Sequence, residues 1–93
     1  MENEKFIIKV AKALSDRHRL LMLREIAQQG SLNCGQVQDL TLMSQPSVSL
    51  HLKLLTDCGL LEKEKTGKVV NLKLNHQAVE DFVTFFGKIV QEE

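Results

Sequence analysis

No tryptophan and no tyrosine occur in the 93 residues, and the aromatic share is 4%, all of it phenylalanine. Single-stranded nucleic acids are gripped by stacking bases on aromatic rings, so a single-strand or RNA reader is disfavoured. Cysteine is scarce too, with only Cys34 and Cys58. A secreted domain this small usually carries more, and the pair fits a reducing compartment. No apolar run approaches the roughly 20 residues of a membrane span, and the N-terminus lacks the apolar block of a signal peptide. The chain is therefore expected in the cytoplasm, without a membrane partner. Also missing are a phosphate-binding glycine loop, a Cys/His/Asp set at metal spacing and a carboxylate pair framed by apolar sequence. Neither an enzyme nor a cofactor or metal is expected.

What is present is a chain of ordinary globular composition, 43% apolar and 26% charged. Its length suits one domain, residues 1–93, with a single small core. Net charge is zero, which at face value opposes binding to phosphate. The distribution is uneven, however. Residues 44–73 hold Lys53, Lys63, Lys65, Lys68 and Lys73 against Asp57, Glu62 and Glu64, a balance of +2. Residues 74–93 hold Lys88 against Glu80, Asp81, Glu92 and Glu93, a balance of −3. Weak positive charge thus gathers in one segment, and affinity for DNA would depend on dimer formation.

That segment begins with Ser44-Gln45-Pro46-Ser47-Val48-Ser49-Leu50-His51-Leu52-Lys53-Leu54-Leu55. Ser44 is a natural helix cap, and Pro46 falls in the first turn, where its missing amide hydrogen is not needed. Val48, Leu52 and Leu55 recur at helical spacing and anchor one face. The opposite face offers Gln45, Ser47, Ser49, Leu50 and Lys53 outward, as a helix that reads a major groove must.

The remaining elements place this helix in a recognisable order. Apolar periodicity predicts a first helix over 4–14, with Phe6, Ile7, Val10, Ala11 and Leu14 on one stripe. Ser15-Asp16 caps a second, with Leu20, Leu23, Ile26 and Ala27 inward, and Gly30 stops it. A short third helix over 34–41 turns Val37 and Leu40 inward. After the reader helix, closed by Gly59, strands over 60–65 and 68–74 are joined by Thr66-Gly67 as a hairpin. Asn75 then caps a last helix with Val79, Phe82, Phe86, Ile89 and Val90 on one side. The fold is mainly α: a winged helix-turn-helix with a two-stranded β-hairpin wing and terminal dimerisation helices. Such a core is complete without the first and last helices. Their apolar stripes, above all Phe6, Ile7, Val10, Phe82, Phe86 and Ile89, are read as pairing with a second copy; packing on their own core alone is the plainer alternative.

Three stretches carry a family resemblance: Ala11-Lys12-Ala13-Leu14-Ser15-Asp16-Arg17-His18-Arg19-Leu20, the reader stretch through Asp57-Cys58-Gly59-Leu60-Leu61, and Thr66-Gly67-Lys68-Val69-Val70-Asn71-Leu72-Lys73-Leu74. Together they resemble the ArsR-type repressors over nearly the whole chain. The resemblance implies a dimeric bacterial or archaeal repressor on a palindromic operator, released by an inducer. The inducer is not readable. Arsenic, lead and cadmium sensors of that family carry Cys-Val-Cys where this chain has Asn33, Cys34 and Gly35, and one thiolate cannot close a soft-metal shell. The family's zinc positions fall on His76, Ala78, Ile89 and Glu92, two of them apolar.

Among single residues, Gln45 can pair bidentately with adenine and Ser47 can reach a base or a phosphate. An outward Leu50 suits a thymine methyl, although single exposed leucines are common. Lys53 and Lys68 are the phosphate candidates, and Ser44 joins them at the interface. Lys63 and Lys65 rank lower because Glu62 and Glu64 interleave with them. The cluster Arg17-His18-Arg19 either touches DNA backbone or is simply solvated, and His51 reads as a packed structural histidine. Cys58 reads as small-residue packing, and Cys34 lacks the flanking cations of a redox sensor. The expected function is a homodimeric double-strand DNA-binding repressor without the family's usual metal sites. A protein-interaction scaffold, or a sensor with an unusual metal or thiol site, stays open.

Overall fold

A computed structural model describes residues 2–91. Its elements run α1 (Glu2–Ala13), α2 (Arg17–Gln29), β1 (Leu32–Asn33), α3 (Cys34–Thr41), α4 (Gln45–Asp57), β2 (Leu61–Thr66), β3 (Val69–Leu74) and α5 (His76–Gln91). Polar side chains write most of the boundaries. The Asp16 carboxylate accepts the amides of His18 and Arg19 at the start of α2, at 2.8 and 3.1 Å. Those two bonds, with the Arg19 amide foremost, hold its carboxyl below the ordinary 3.8. Asn33 and Gln36 form a reciprocal capping box, each side chain accepting the other's backbone amide. Asn75 receives the Ala78 amide at the head of α5.

The wing differs from a simple hairpin. It is a three-stranded antiparallel sheet in the order β1-β3-β2. β1 is only two residues long, pairing Leu32 with Leu72 and Asn33 with Asn71, so no alternation could mark it in the sequence. The β2–β3 hairpin pairs Thr66 with Val69, which leaves Gly67-Lys68 as the two-residue turn. Gly67 occupies the first turn position at φ +64°, where a side chain would be strained.

The core gathers Val10 and Ala13 from α1, Met22 and Ile26 from α2, Leu32, Val37, the α4 trio Val48, Leu52 and Leu55, and Leu60, Leu61 and Leu72. Several inward assignments change as a result. On α2, Met22 and Ile26 are buried while Leu20 and Ala27 are exposed. Ile26 and the half-buried Leu23 lie inward as expected; four apolar residues in a row, Leu20 to Leu23, fit more than one helical phase, and packing turned the inward arc from Leu20 and Ala27 towards Met22. On α3, Leu40 is exposed and Val37 alone is buried. On α1, Val10 is fully buried within the chain. It therefore belongs to the core of the protomer and is not available for pairing with a second copy. Ala11 of the same stripe is exposed.

One backbone position stands out. Leu42, in the turn between α3 and α4, adopts the left-handed conformation at φ +57° and is 91% exposed. Its amide donates to the Gln38 carbonyl at 2.9 Å, closing α3. That conformation normally selects glycine or asparagine, and for leucine it is strained.

Candidate nucleic-acid interface

α4 is fixed by the stripe expected of it. Val48, Leu52 and Leu55 are buried, and the outward arc follows from a 100° step per residue. Ser44 sits at the N-cap, where its Oγ accepts the Ser47 amide and donates to Ser47 Oγ at 3.0 Å. Both serine hydroxyls are thereby engaged in building the first turn. Gln45 and Ser49 are exposed, Ser47 is half-buried, and Leu50 is 58% exposed.

Lys53 is exposed and bonded to Asp57 one turn on, Nζ to Oδ2 at 2.7 Å. The ammonium holds the Asp57 carboxyl below its usual range. A solvent-exposed pair of this kind is weak and yields readily to a phosphate. Lys68 occupies the wing tip and makes no ion pair among the described residues.

Strand alternation sorts the charges of β2 in a way that a linear reading did not. Glu62 and Glu64 share a face with Lys73 of β3, which reaches Glu64 at 2.6 Å and Glu62 at 3.8 Å. That hydrogen bond lowers the Glu64 pKa and raises the Lys73 pKa. Lys63 and Lys65 project from the opposite face, opposite Leu72 and Val70 in the register. Lys63 lines a cleft of about 270 Å³ between α4 and the wing, with Cys34, Ser49, Lys53, Val70 and Leu72. Lys63 thus faces the reader helix, and its acidic neighbours in sequence face away. The period-2 rule carried this information; summing charge along the strand hid it.

The cluster at the head of α2 resolves differently. Arg19 donates from Nε to the Ala13 carbonyl at 2.6 Å and from Nη2 to the Lys12 carbonyl at 3.2 Å. A cation there meets the negative end of the α1 dipole. Its Nη1 lies 3.2 Å from His51 Nδ1, within hydrogen-bond reach of that ring nitrogen. Arg19 is therefore a tie between α1 and α4. The ring of His18 packs 5.9 Å from that of His51, centroid to centroid.

Among the remaining assignments, Phe6 and Phe82 are half-buried against the core and Ile7 is half-buried. Phe86 and Ile89 stay exposed on α5, alongside Val83 and Val90. Phe82 and Phe86 stack at 6.2 Å. Cys58 is buried, its thiol donating to the Leu55 carbonyl, and burial pushes that thiol up. Cys34 is a half-exposed free thiol. No group of three or more His, Cys, Asp or Glu that could hold a metal occurs among the described residues; Glu92 lies outside them. No described helix is long and apolar enough to cross a membrane.

Four helices before a small antiparallel wing, and a fifth after it, define the winged helix-turn-helix class. Comparison with known proteins narrows this. Residues 16–63 match the family model "Bacterial regulatory protein, arsR family". The chain is 34% identical over 68 residues to the arsenical resistance operon repressor of Bacillus subtilis (strain 168), covering 73% of this chain and 65% of that protein. It is 32% identical over 82 residues to a CadC homolog of Staphylococcus aureus, a cadmium resistance transcriptional regulatory protein, covering 88% and 68%. The fold superposes on an ArsR-like transcriptional regulator from Rhodococcus sp. RHA1 with a TM-score of 0.91 at 22% identity, covering 99% and 86%. It also matches the homodimeric winged helix-turn-helix DNA-binding domain of a Mycobacterium bovis protein, TM-score 0.75 at 24% identity, covering 96% and 81%. This chain belongs to the ArsR family of bacterial transcriptional regulators.

Proposed function

We propose that the protein is a cytoplasmic, homodimeric repressor that reads double-stranded DNA at an imperfect palindrome. The observation that carries this reading is the arrangement on one side of the molecule. α4 turns Gln45, Ser49 and Leu50 outward, while Lys63 flanks it in the cleft and Lys68 stands at the wing tip. Gln45, Ser47, Ser49 and Leu50 contact base edges, with Ser44 at the helix start beside them; Lys53, Lys63 and Lys68 contact phosphate. Two such helices enter successive major grooves about 34 Å apart. The exposed α5 stripe of Val83, Phe86, Ile89 and Val90, with Phe6 and Ile7 beside it, supplies the dimer face. Repression is supported by the Bacillus relative, itself named an operon repressor.

The paired thiolates that the family resemblance implies for soft-metal sensing have no counterpart at positions 33–35. Cys34 stands between Asn33 and Gly35, and Asn33 is committed to the α3 capping box. The test is selection of duplexes from a random pool, followed by fluorescence anisotropy across a salt series. A palindromic consensus and a steep fall of log K with log salt are expected. Absence of any selected consensus overturns the reading and leaves the protein-interaction scaffold, which the zero net charge and exposed Leu50 favour. Zinc, cadmium, arsenite, peroxide and polysulfide are expected to leave operator affinity unchanged.

A further inference from the structure

A cavity of about 330 Å³ opens between α1, the first turn of α2 and the last turn of α4. Its apolar wall is Ala13, Leu54 and Cys58; its charged lining is Lys9, Lys12, Arg19 and Asp57. Lys9, Lys12 and Ala13 follow the i, i+3, i+4 spacing and so share one face of α1. Neither Lys9 nor Lys12 makes an ion pair among the described residues. The single carboxylate, Asp57, is already bonded to Lys53, which does not line the cavity. Three cations therefore face the apolar wall against a single lining carboxylate, Asp57, which Lys53 binds directly and Lys9 stabilises from farther off, while Arg19 also feels Asp16 at the head of α2.

We infer that this cavity is an effector site for a small organic anion, a carboxylate or sulfonate carried on an apolar body. The volume falls at the small end of the range that holds such ligands, roughly 300–1,000 Å³. The head group takes Lys9 and Lys12, and the apolar body covers Leu54 and the edge of Cys58. A bare inorganic anion would leave that wall wet, so the apolar body is part of the recognition. The effector role rests on the regulator reading above; the binding site does not.

The cavity is also wired to the reader. Leu54 and Asp57 belong to α4, and Cys58 caps its C-terminal end. Arg19 holds the α1 carbonyls and His51 of α4 at once. An anion that draws the Arg19 guanidinium inward competes with its bond to His51, and so shifts α4 relative to α1. Ligand binding and operator binding are then coupled, in either direction.

Two fluorescent probes that share an apolar body separate charge from greasiness: 1-anilinonaphthalene-8-sulfonate and its uncharged analogue N-phenyl-1-naphthylamine. Each is titrated into the full chain without DNA, and into K9E/K12E and Leu54→Gln variants whose folding is checked by thermal melting. The sulfonate is expected to bind saturably, one per chain, and to lose about tenfold or more in affinity in K9E/K12E, where charge opposes it. The uncharged probe stays within about twofold in that variant, while Leu54→Gln weakens both. Sulfonate binding unchanged in K9E/K12E, or both probes changing in parallel there, overturns the site. Because no DNA is present, failure to bind any duplex would overturn the regulator reading and leave this result standing.

Discussion

The reader helix and the last helix are both amphipathic, yet they finish the job of burial differently. α4 places its whole apolar stripe under the protomer and turns mainly polar side chains outward. α5 buries only Ala78 and leaves Phe86 54% and Val90 60% exposed. A stripe that is satisfied within the chain builds a rigid platform, and one left open calls for a second surface. Under the proposed function, reading and assembly are divided between these two helices, with the wing packed against the first.

The sharpest way to break that contrast is at the platform. Leu55→Ala, at a fully buried α4 position, is expected to cost about 3 kcal/mol of stability by leaving a cavity, measured by urea unfolding. A loss under about 1 kcal/mol would show that α4 is not anchored as described. Phe86→Ala addresses the other helix. It should weaken dimerisation at least tenfold, about 1.4 kcal/mol, in sedimentation velocity, while the unfolding midpoint of dilute protein stays put. Monomers at micromolar concentration in the unaltered protein would instead leave α5 without the partner proposed for it.

The wing supplies the next comparison. Lys63→Ala and Lys68→Ala should each lower the slope of log K against log salt by about two units, since one phosphate contact is lost from each protomer of the dimer. Lys73→Ala should not, because that ammonium lies with Glu62 and Glu64 on the face of the wing turned away from Lys63 and α4. Equal slopes for all three lysines would undo the assignment of faces. A smaller effect lies in the turn before α4. Leu42→Gly relieves a left-handed leucine and should stabilise the fold by roughly 0.5–1 kcal/mol, the relief of about 1–2 being partly offset by glycine's unfolded-state entropy. Smallest is a pH effect. The Asp16 carboxyl is held below its ordinary value by the amides it accepts, so the stability it adds is present above that value and lost as pH falls through the folded one. Asp16→Asn keeps the cap and removes the charge. Acid melting curves of that variant should be flatter than those of the parent below about pH 4.

Local chemistry explains which features could be read in advance. Asp16, Ser44 and Asn75 act within three residues of themselves, and their helix starts fall where the side chains dictate. The α4 stripe was equally plain, since Val48, Leu52 and Leu55 fit one phase. Val10 was misassigned because periodicity reveals an apolar face without saying whose atoms cover it. β1 was invisible for a different reason: two residues have no period, and their partners lie far along the chain. At the proposed interface, the outward placement of Gln45, Ser49 and Leu50 was legible from helical geometry, whereas the side on which Lys63 stands needed the strand register. The tie from Arg19 to His51 spans 32 positions, and no pattern in the sequence announces it.

The two-residue strand has a kinetic consequence. Pairing Leu32 with Leu72 joins positions forty apart and encloses α3, α4 and the hairpin in one loop. Such a contact forms late, because its loop must close before it is rewarded, and it raises the contact order of a mostly helical chain. Once made, it leaves the helix-turn-helix and the wing little freedom to open separately. Amide exchange in β3 and α4 should then proceed through one shared opening, so that the reader and its wing are lost, and regained, together.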